Sequence, residues 1–306
     1  MGCWGVGLYD NDTARDLRAG LAELVRLPIG QDELLEKLLD AFPAGHDPED
    51  EDYTGSWLAL ADLFHAFGLD HPEVFARAFE IVESGADLAV LRALDMSESD
   101  LRKRARALDR LAGKWRVPNP KPRARRVVEA PEPLLFESGA CLAYPTRKGN
   151  AANVHLPAAR LAETFEPDGR GAFVVLATSR RHGYFACYLV ARLFLRAAGQ
   201  PTLEDCTGAV IAGIDPRIPF VPADPAVKVV SVSRAEAGKL AVDDVGRCEL
   251  DQPALRAAFP DPYLSLDQPS WSLAGLLRPY SEGTVIITER SVPLRKLPLS
   301  RFLRGA

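Results

Sequence analysis

The sequence has 306 residues, of which 47% are hydrophobic and 26% are charged, and its formal net charge is -5. This composition indicates a globular chain with a sizeable core, and the length favours about two domains. Because no run of about eighteen apolar residues occurs and the N-terminus lacks the pattern of a secretory signal, we expect a cytoplasmic protein that neither spans nor binds a membrane.

The first 115 residues repeat their apolar side chains at helical spacing. Five such faces predict five amphipathic helices, separated by short breaks that contain glycine or proline. Short breaks favour antiparallel neighbours, so we expect an antiparallel helical bundle over residues 1–117. The faces are Leu17, Leu21, Leu24 and Val25; Leu34, Leu35, Leu38 and Leu39; Trp57, Leu60, Ala61 and Phe64; Phe75, Phe79 and Val82; and Leu101, Ala105, Leu108 and Leu111.

The composition changes after this helical half. Residues 118–133, PNPKPRARRVVEAPEP, combine five prolines with a cluster of basic side chains. Such a stretch is typical of a linker, and its exposed backbone predicts trypsin cleavage between Lys121 and Arg126.

Short runs rich in valine, isoleucine, phenylalanine and tyrosine follow, bounded by glycine, proline and aspartate. They predict β-strands, and three helical patterns between them predict a few short helices. We therefore expect an α+β protein with a mainly β domain over residues 134–306. The strand runs are 140–146, 172–179, 183–195, 208–214, 227–233 and 283–289, and the helical patterns cover LPAARLAETF, 253–259 and 271–277.

The chain opens MGCWGVGLYDNDTARD, in which glycines and acidic residues crowd ahead of the first helix. Gly2, Gly5 and Gly7 lack the spacing and the preceding strand of a phosphate-binding loop. The run Asp10-Asn11-Asp12 lacks the alternating ligands, the turn glycine and the closing glutamate of a calcium loop. The opening therefore predicts neither a nucleotide site nor a calcium site.

A structural role accounts for the same residues. Asp12 or Thr13 is expected to cap the first helix, with Asp16 three residues after Thr13 as in a capping box. The glycines allow the backbone to turn tightly around Trp4, whose ring we expect to be buried as an anchor on the bundle.

The opening, together with SWLALADLFHAFG and ARAFEIVESGADL, resembles a group of bacterial proteins that begin WGxGxxDNDxAxD and are classed as domain of unknown function 4259. The resemblance covers roughly residues 1–115 and implies no catalytic chemistry. Its signature positions correspond to Trp4, Gly5, Gly7, Asp10, Asn11, Asp12 and Asp16.

FESGACLAYPTRKGN and AFVVLATSRRHGYFACYLV, in the second half, resemble the β-rich modules of immunity protein 26, which are found beside polymorphic toxins. Ala140 stands where those modules usually carry aspartate. The resemblance implies binding of another protein rather than turnover of a substrate.

The titratable residues give little support to an enzyme or a metal site. The five cysteines are an odd number without CxxC spacing, and the five histidines form neither HExxH nor HxH. His65 and His71 fit a packing residue and a helix cap better than a metal site. Cys187, with His182 nearby, and Cys206 are the best candidates for a nucleophile, but cysteine is often buried, so a hydrolase ranks third among the functions. No cofactor or metal is expected.

Charge is the sharpest remaining feature, because residues 102–126 hold eleven basic side chains against one acid, Asp109. Such a stripe can contact a polyanion, or it can form a solvated face of the fold. We favour a non-enzymatic protein-recognition factor, immunity- or toxin-associated; the alternative is a nucleic-acid-associated protein. The residues expected to contact a partner or a polyanion are Arg102, Lys103, Arg106, Arg123, Arg125 and Arg126.

Overall fold

A computed structural model of the chain describes residues 5–195, 199–215, 224–268, 271–277 and 290–304. The chain divides into two compact units, Met1–Glu129 and Ala130–Ala306. Helices make up the first unit and a largely antiparallel sheet dominates the second, so the predicted α+β class is confirmed. Within the described ranges, no helix is long and apolar enough to cross a membrane.

The first unit contains six α-helices in its described residues, one more than the apolar spacing predicts. The additional helix, α5, has only eight residues and directly follows α4. The bounds are α1 Asp12–Leu24, α2 Gln31–Ala41, α3 Tyr53–Phe67, α4 Pro72–Ser84, α5 Ala86–Ala93 and α6 Glu98–Trp115.

Helix α3 forms the centre of this unit, because its side chains are buried along most of its length. It packs against α1, α4 and α6, and Trp57 donates its indole N–H to the Gly45 carbonyl at 3.0 Å. Gly68 ends the helix with a φ of 65°, a left-handed conformation that favours glycine. Its N–H bonds the His65 carbonyl, which closes the last turn.

Residues 118–129, the larger part of the predicted linker, contact the helical unit. The Arg125 guanidinium donates to the carbonyls of Val25, Leu27 and Ile29 at 3.0–3.1 Å. The Val128 N–H bonds the Arg26 carbonyl at 2.8 Å. Residues 118–129 therefore have the composition of a flexible linker, but hydrogen bonds to the loop after α1 hold them in place.

The second unit is built on a sheet whose described path runs β5-β4-β3-β2-β1-β7. In addition, β6 pairs with β3 and with β8, and β9 pairs with β4. All of these pairings are antiparallel except β6 with β8. The strands are β1 Ala140–Thr146, β2 Gly169–Arg181, β3 Phe185–Phe194, β4 Val210–Asp215, β5 Asp224–Pro225, β6 Val227–Ser231, β7 Asp243–Arg247, β8 Trp271–Ser272 and β9 Arg290–Pro298.

Both faces of this sheet are covered, which explains the near-continuous burial of β3. Alternate residues of β3 enter two different cores: Cys187 and Leu189 belong to one, Tyr188 and Val190 to the other. The predicted strand at 283–289 lies outside the described residues. The short helices are α7 Ala158–Thr164, α8 Leu203–Thr207, α9 Arg234–Lys239, α10 Gln252–Ala258, α11 Pro260–Leu264 and α12 Leu273–Leu277.

Candidate functional site

The opening motif forms a tight turn in front of α1. The Asp10 carboxylate accepts from the Gly7 N–H at 2.8 Å, and the Asp10 N–H bonds the Gly7 carbonyl at 3.1 Å. A Cβ atom would lie 2.3 Å from Asp10 Oδ2 if placed on Gly5, and 2.7 Å away if placed on Gly7. The glycines therefore allow the close approach of the carboxylate, whereas Trp4 lies outside the described residues.

Asn11 is the N-cap of α1, with extended backbone angles and a side-chain oxygen that accepts from the Ala14 N–H at 2.6 Å. The prediction that Asp12 or Thr13 caps this helix is wrong. Thr13 instead donates its hydroxyl to Asp52 at 2.7 Å, and Asp12 lies in the first turn, where a negative charge complements the helix dipole. Asp16 is exposed on α1 and forms no capping box.

A buried ion pair connects the opening turn to α5 and α6. Arg104 donates to both carboxylate oxygens of Asp87, at 2.9 and 3.0 Å, and each side chain is only 3% exposed. The same guanidinium donates to the Val6 carbonyl at 3.4 Å. Arg104, one of the eleven basic residues of 102–126, is thus a structural residue that no polyanion can reach.

Tyr9 forms a second link between the opening turn and the helices. Its hydroxyl donates to Asp62 on α3 at 3.0 Å, and Lys114 on α6 donates to the other carboxylate oxygen at 2.8 Å. Burial raises the pKa of the Tyr9 phenol well above its usual range, and the Asp62 charge adds to this effect. Burial also raises the pKa of Asp62, but the hydrogen bonds from Lys114 and Tyr9 outweigh it and lower that pKa.

These contacts give the opening motif a structural role. Gly5, Gly7 and Asp10 shape the turn, and Asn11 starts α1. Although the acidic run is compact, Asp10 and Asn11 are used in hydrogen bonds to the backbone. In the described ranges, no group of three or more histidine, cysteine, aspartate or glutamate side chains could hold a metal ion.

The structure separates the basic residues of 102–126 into two sets. Five have polar partners within the helical unit: Arg104 and Arg125 as described, Lys114 through Asp62, and, in exposed ion pairs, Lys103 with Asp100 at 2.7 Å and Arg116 with Glu83 at 3.3 Å. Two of the predicted contact residues, Lys103 and Arg125, belong to this set. The remaining basic residues form no ion pair within the described part of the chain: Arg102, Arg106, Arg110, Lys121, Arg123 and Arg126.

Arg102, Arg106 and Arg110 are exposed and stand four residues apart on α6, so they share one face of the helix; we call them the arginine ridge. Arg110 donates to the Arg106 carbonyl at 3.2 Å, which holds it along the helix axis. Arg102 and Arg106 are among the contact residues predicted from the sequence, whereas Arg110 is not. Their four-residue spacing could have identified all three as one surface.

Arg123 and Arg126 lie on the ordered segment that follows α6. Arg123 is exposed, and its guanidinium carbon lies 6.0 Å from the centre of the Phe67 ring. Arg126 is exposed as well. Both keep their charge at the surface of the helical unit.

The candidate nucleophiles and histidines occupy packed positions. The four described cysteines are buried, and the Cys187 thiol donates to the Phe185 carbonyl at 3.4 Å. His65 and His71 are also buried: one ring contacts the Val117 carbonyl at 3.0 Å, and the other contacts Asp32 at 3.2 Å. These four cysteines and two histidines are therefore packed within the fold.

Comparison of the chain with protein-family models, with curated proteins and with solved structures gave no match.

Proposed function

We propose that the chain is a non-enzymatic protein-recognition factor and that it binds an acidic surface of a partner protein through the arginine ridge. The observation that carries this proposal is the division of the basic residues of α6. Lys103, Arg104 and Lys114 are neutralised within the fold, whereas Arg102, Arg106 and Arg110 are exposed and form no ion pair with a described residue.

The residues at the two ends of α6 support a protein partner. Leu94, just before the helix, is 44% exposed, and Val117, just after it, is 60% exposed. Arginine is enriched at protein interfaces, where its guanidinium group pairs with carboxylates through two hydrogen bonds and its stem adds apolar area. A row of arginines with apolar residues near both ends of the helix therefore suits an acidic protein surface.

The arginine ridge also makes nucleic-acid binding the second candidate. Four residues of α-helix rise about 6 Å, so three cations follow one another at regular intervals that phosphate groups can meet. Two features favour a protein instead. No phenylalanine, tyrosine or tryptophan side chain is exposed in the described residues, so these rings provide no platform for base stacking. Outside 102–126, moreover, residues 1–129 hold 23 acidic and six basic side chains, which repel a long polyanion.

The resemblance of the second half to immunity modules is the reason to test toxins first as the partner. Toxins bound by such modules would present the acidic surface, and the chain would bind without turnover. A toxin gene beside the gene for this chain would support this choice, whereas replication or defence genes there would support the nucleic-acid candidate.

Charge reversal on the arginine ridge tests the proposal. Tagged full-length protein would be purified from its native host as the wild type and as the variant Arg102→Glu/Arg106→Glu/Arg110→Glu. A matched control reverses three cations of α1, α2 and α4, of which Arg18 and Arg77 are exposed and Lys37 is partly exposed: Arg18→Glu/Lys37→Glu/Arg77→Glu. We expect the same partner with the wild type and the control, and its loss with the ridge variant while the circular dichroism spectrum is unchanged. Equal recovery with all three proteins would contradict the proposal.

Fluorescence anisotropy with labelled duplex and single-stranded probes separates the two candidates. At about 0.15 M salt, non-specific complexes are typically no tighter than about 1 μM, and each phosphate contact adds about 0.9 to the slope of log K against log salt. We expect weak binding with little dependence on the ridge. A sub-micromolar complex that loses about three units of slope in the ridge variant would instead establish nucleic-acid binding.

A further inference from the structure

Three cysteines from distant parts of the sequence meet in one core of the second unit. Cys141 lies on β1, Cys206 on α8 and Cys248 directly after β7. All three belong to the same cluster of buried residues, which also contains Cys187, and the Sγ atoms of Cys141 and Cys248 are 4.0 Å apart. A single buried cysteine is common in cores, but three thiols grouped together place reactive sulfur atoms within reach of one another.

Cys248 is the residue of the three with the largest exposed fraction. It is 9% exposed, whereas Cys141 and Cys206 are 0% exposed. It follows β7, which pairs only with β1 among the described strands and so forms an edge of the described sheet. Since edge strands open more easily than central ones, a small oxidant can reach Cys248 by local opening at this edge.

The backbone beside the pair brings the two cysteines together. The Cys248 N–H bonds the Gly139 carbonyl at 3.0 Å, and the Cys248 thiol contacts the same carbonyl at 3.4 Å. Gly139 has a φ of 87°, and a Cβ atom there would lie 2.2 Å from the Cys248 carbonyl oxygen. This close crossing, which requires glycine, positions Cys248 beside the first residues of β1.

Hydrogen bonds within the cluster shift the pKa values of the thiols in different directions. Bonds to Cys206 and then to Cys248, together with burial, raise the pKa of Cys141 well above its usual range. The bond from Cys141 in turn lowers the pKa of Cys248 and, in the same way, the pKa of Cys206. Because the thiolate is the reactive form, these shifts disfavour Cys141 as the first sulfur to be oxidised. Of the other two, Cys248 has the larger exposed fraction and its Sγ atom lies 4.0 Å from that of Cys141, so the geometry selects Cys248.

We propose that Cys248 and Cys141 form an oxidation site that converts a hydroperoxide signal into a disulfide between β1 and the end of β7. The Cys248 thiolate attacks the terminal oxygen of the hydroperoxide; the O–O bond breaks, the alcohol or water leaves after protonation, and a sulfenic acid remains. Cys141 then loses its proton and attacks that sulfur, the S–O bond breaks, and water leaves. Two thiols supply two electrons, and the sulfur atoms must approach from 4.0 Å to about 2.05 Å.

Peptide mapping of the full-length protein tests this site. The reduced chain is treated with hydrogen peroxide, alkylated, and digested with trypsin without reduction. The expected product joins residues 127–147, which carry Cys141, to residues 248–256, CELDQPALR, which carry Cys248, at a mass two hydrogens below the sum of the free peptides. A link from either peptide to residues 197–217, which carry Cys206, would overturn the assignment of the pair.

Matched variants show whether the reaction depends on this pair. Cys248→Ser should lose the linked peptide, whereas Cys187→Ser, a change at the fourth described cysteine, should retain it. Because a buried serine can unfold the sheet, Cys248→Ala and circular dichroism accompany the series. If the wild-type thiols react only in urea, or if folded protein gives sulfinic acid without a disulfide, the proposal is refuted.

Discussion

The buried ion pair between Arg104 and Asp87 allows a quantitative prediction. Asp87→Ala removes both oxygens that Arg104 contacts, at 2.9 and 3.0 Å, and leaves a guanidinium group that is 3% exposed without its counter-charge. Breaking a buried pair in this way typically costs about 3–5 kcal/mol. We expect the free energy of unfolding of the helical unit to fall by this amount.

The assay is urea unfolding followed by circular dichroism at a wavelength dominated by helix. Glu80→Ala is the control, because its partner Arg77 lies on the same helix and both side chains are about half exposed or more. Exposed pairs contribute about 0–1 kcal/mol, so the control should change little. The double variant Asp87→Ala/Arg104→Met should be more stable than Asp87→Ala, because it removes the uncompensated charge. If Asp87→Ala costs no more than Glu80→Ala, the role assigned to this pair is wrong.

Three further predictions follow from the described contacts. Gly7→Ala places a Cβ atom 2.7 Å from the Asp10 carboxylate and should destabilise the helical unit by about 1–3 kcal/mol. Gly113→Ala, whose new Cβ atom meets nothing within 4 Å, should instead stabilise α6 by about 0.5–1 kcal/mol. Urea unfolding would measure both changes. Since the pKa of Asp62 is lowered in the folded state, its contribution to stability is present at neutral pH and is lost as the pH falls below about 4; in Lys114→Gln this acid-side loss should be smaller. Arg125→Gln should speed tryptic cleavage within residues 118–126, because three carbonyls lose their donor.

Each of these three has an outcome that would contradict it. Equal destabilisation by the two glycine variants would show that crowding at Asp10 is not the cause. If Lys114→Gln loses as much stability at acid pH as the wild type does, the ion pair with Lys114 is not what lowers the pKa of Asp62. Equal cleavage rates in the wild type and in Arg125→Gln would show that these hydrogen bonds do not protect the segment; Arg126→Gln, at an exposed neighbour, is the matched control.

The helical unit could be predicted largely from apolar spacing, and its departures have identifiable causes. Leu17, Leu21 and Leu24 are buried as α1 requires. On α6, however, a buried position is occupied by Arg104, whose partner is 17 residues away in the sequence. Periodicity alone predicts that an arginine on a helix is exposed, so this buried pair could not be predicted. The short helix α5 was not predicted either.

The sheet was predictable where strands are apolar on both faces. β1 spans 140–146 as expected, and β2 and β3 extend over the predicted runs. β7, Asp243–Arg247, was missed because three of its five residues are charged, as suits an edge strand whose side chains face water. β9, Arg290–Pro298, was missed for a related reason: prolines and cations interrupt its pattern.

Local chemistry also limited the prediction of the candidate site. Asn11 and Asp12 are both good capping residues, and the choice depends on which backbone is extended, which the sequence does not reveal. The sequence shows eleven basic residues in 102–126 but not their partners. Only the contacts distinguish Lys114, which binds Asp62, from Arg106, which is exposed on the same helix.

Site-specific photo-crosslinking measures the central claim most directly. A photoreactive amino acid would replace Arg106 on the arginine ridge or, as the control, Arg77 on α4, and the full-length protein would be irradiated in its native host. We expect a single protein adduct from position 106, with an acidic peptide of the partner at the cross-linked site, and no such adduct from position 77. Adducts to nucleic acid from position 106, or the same protein adduct from both positions, would contradict recognition of an acidic protein through the arginine ridge.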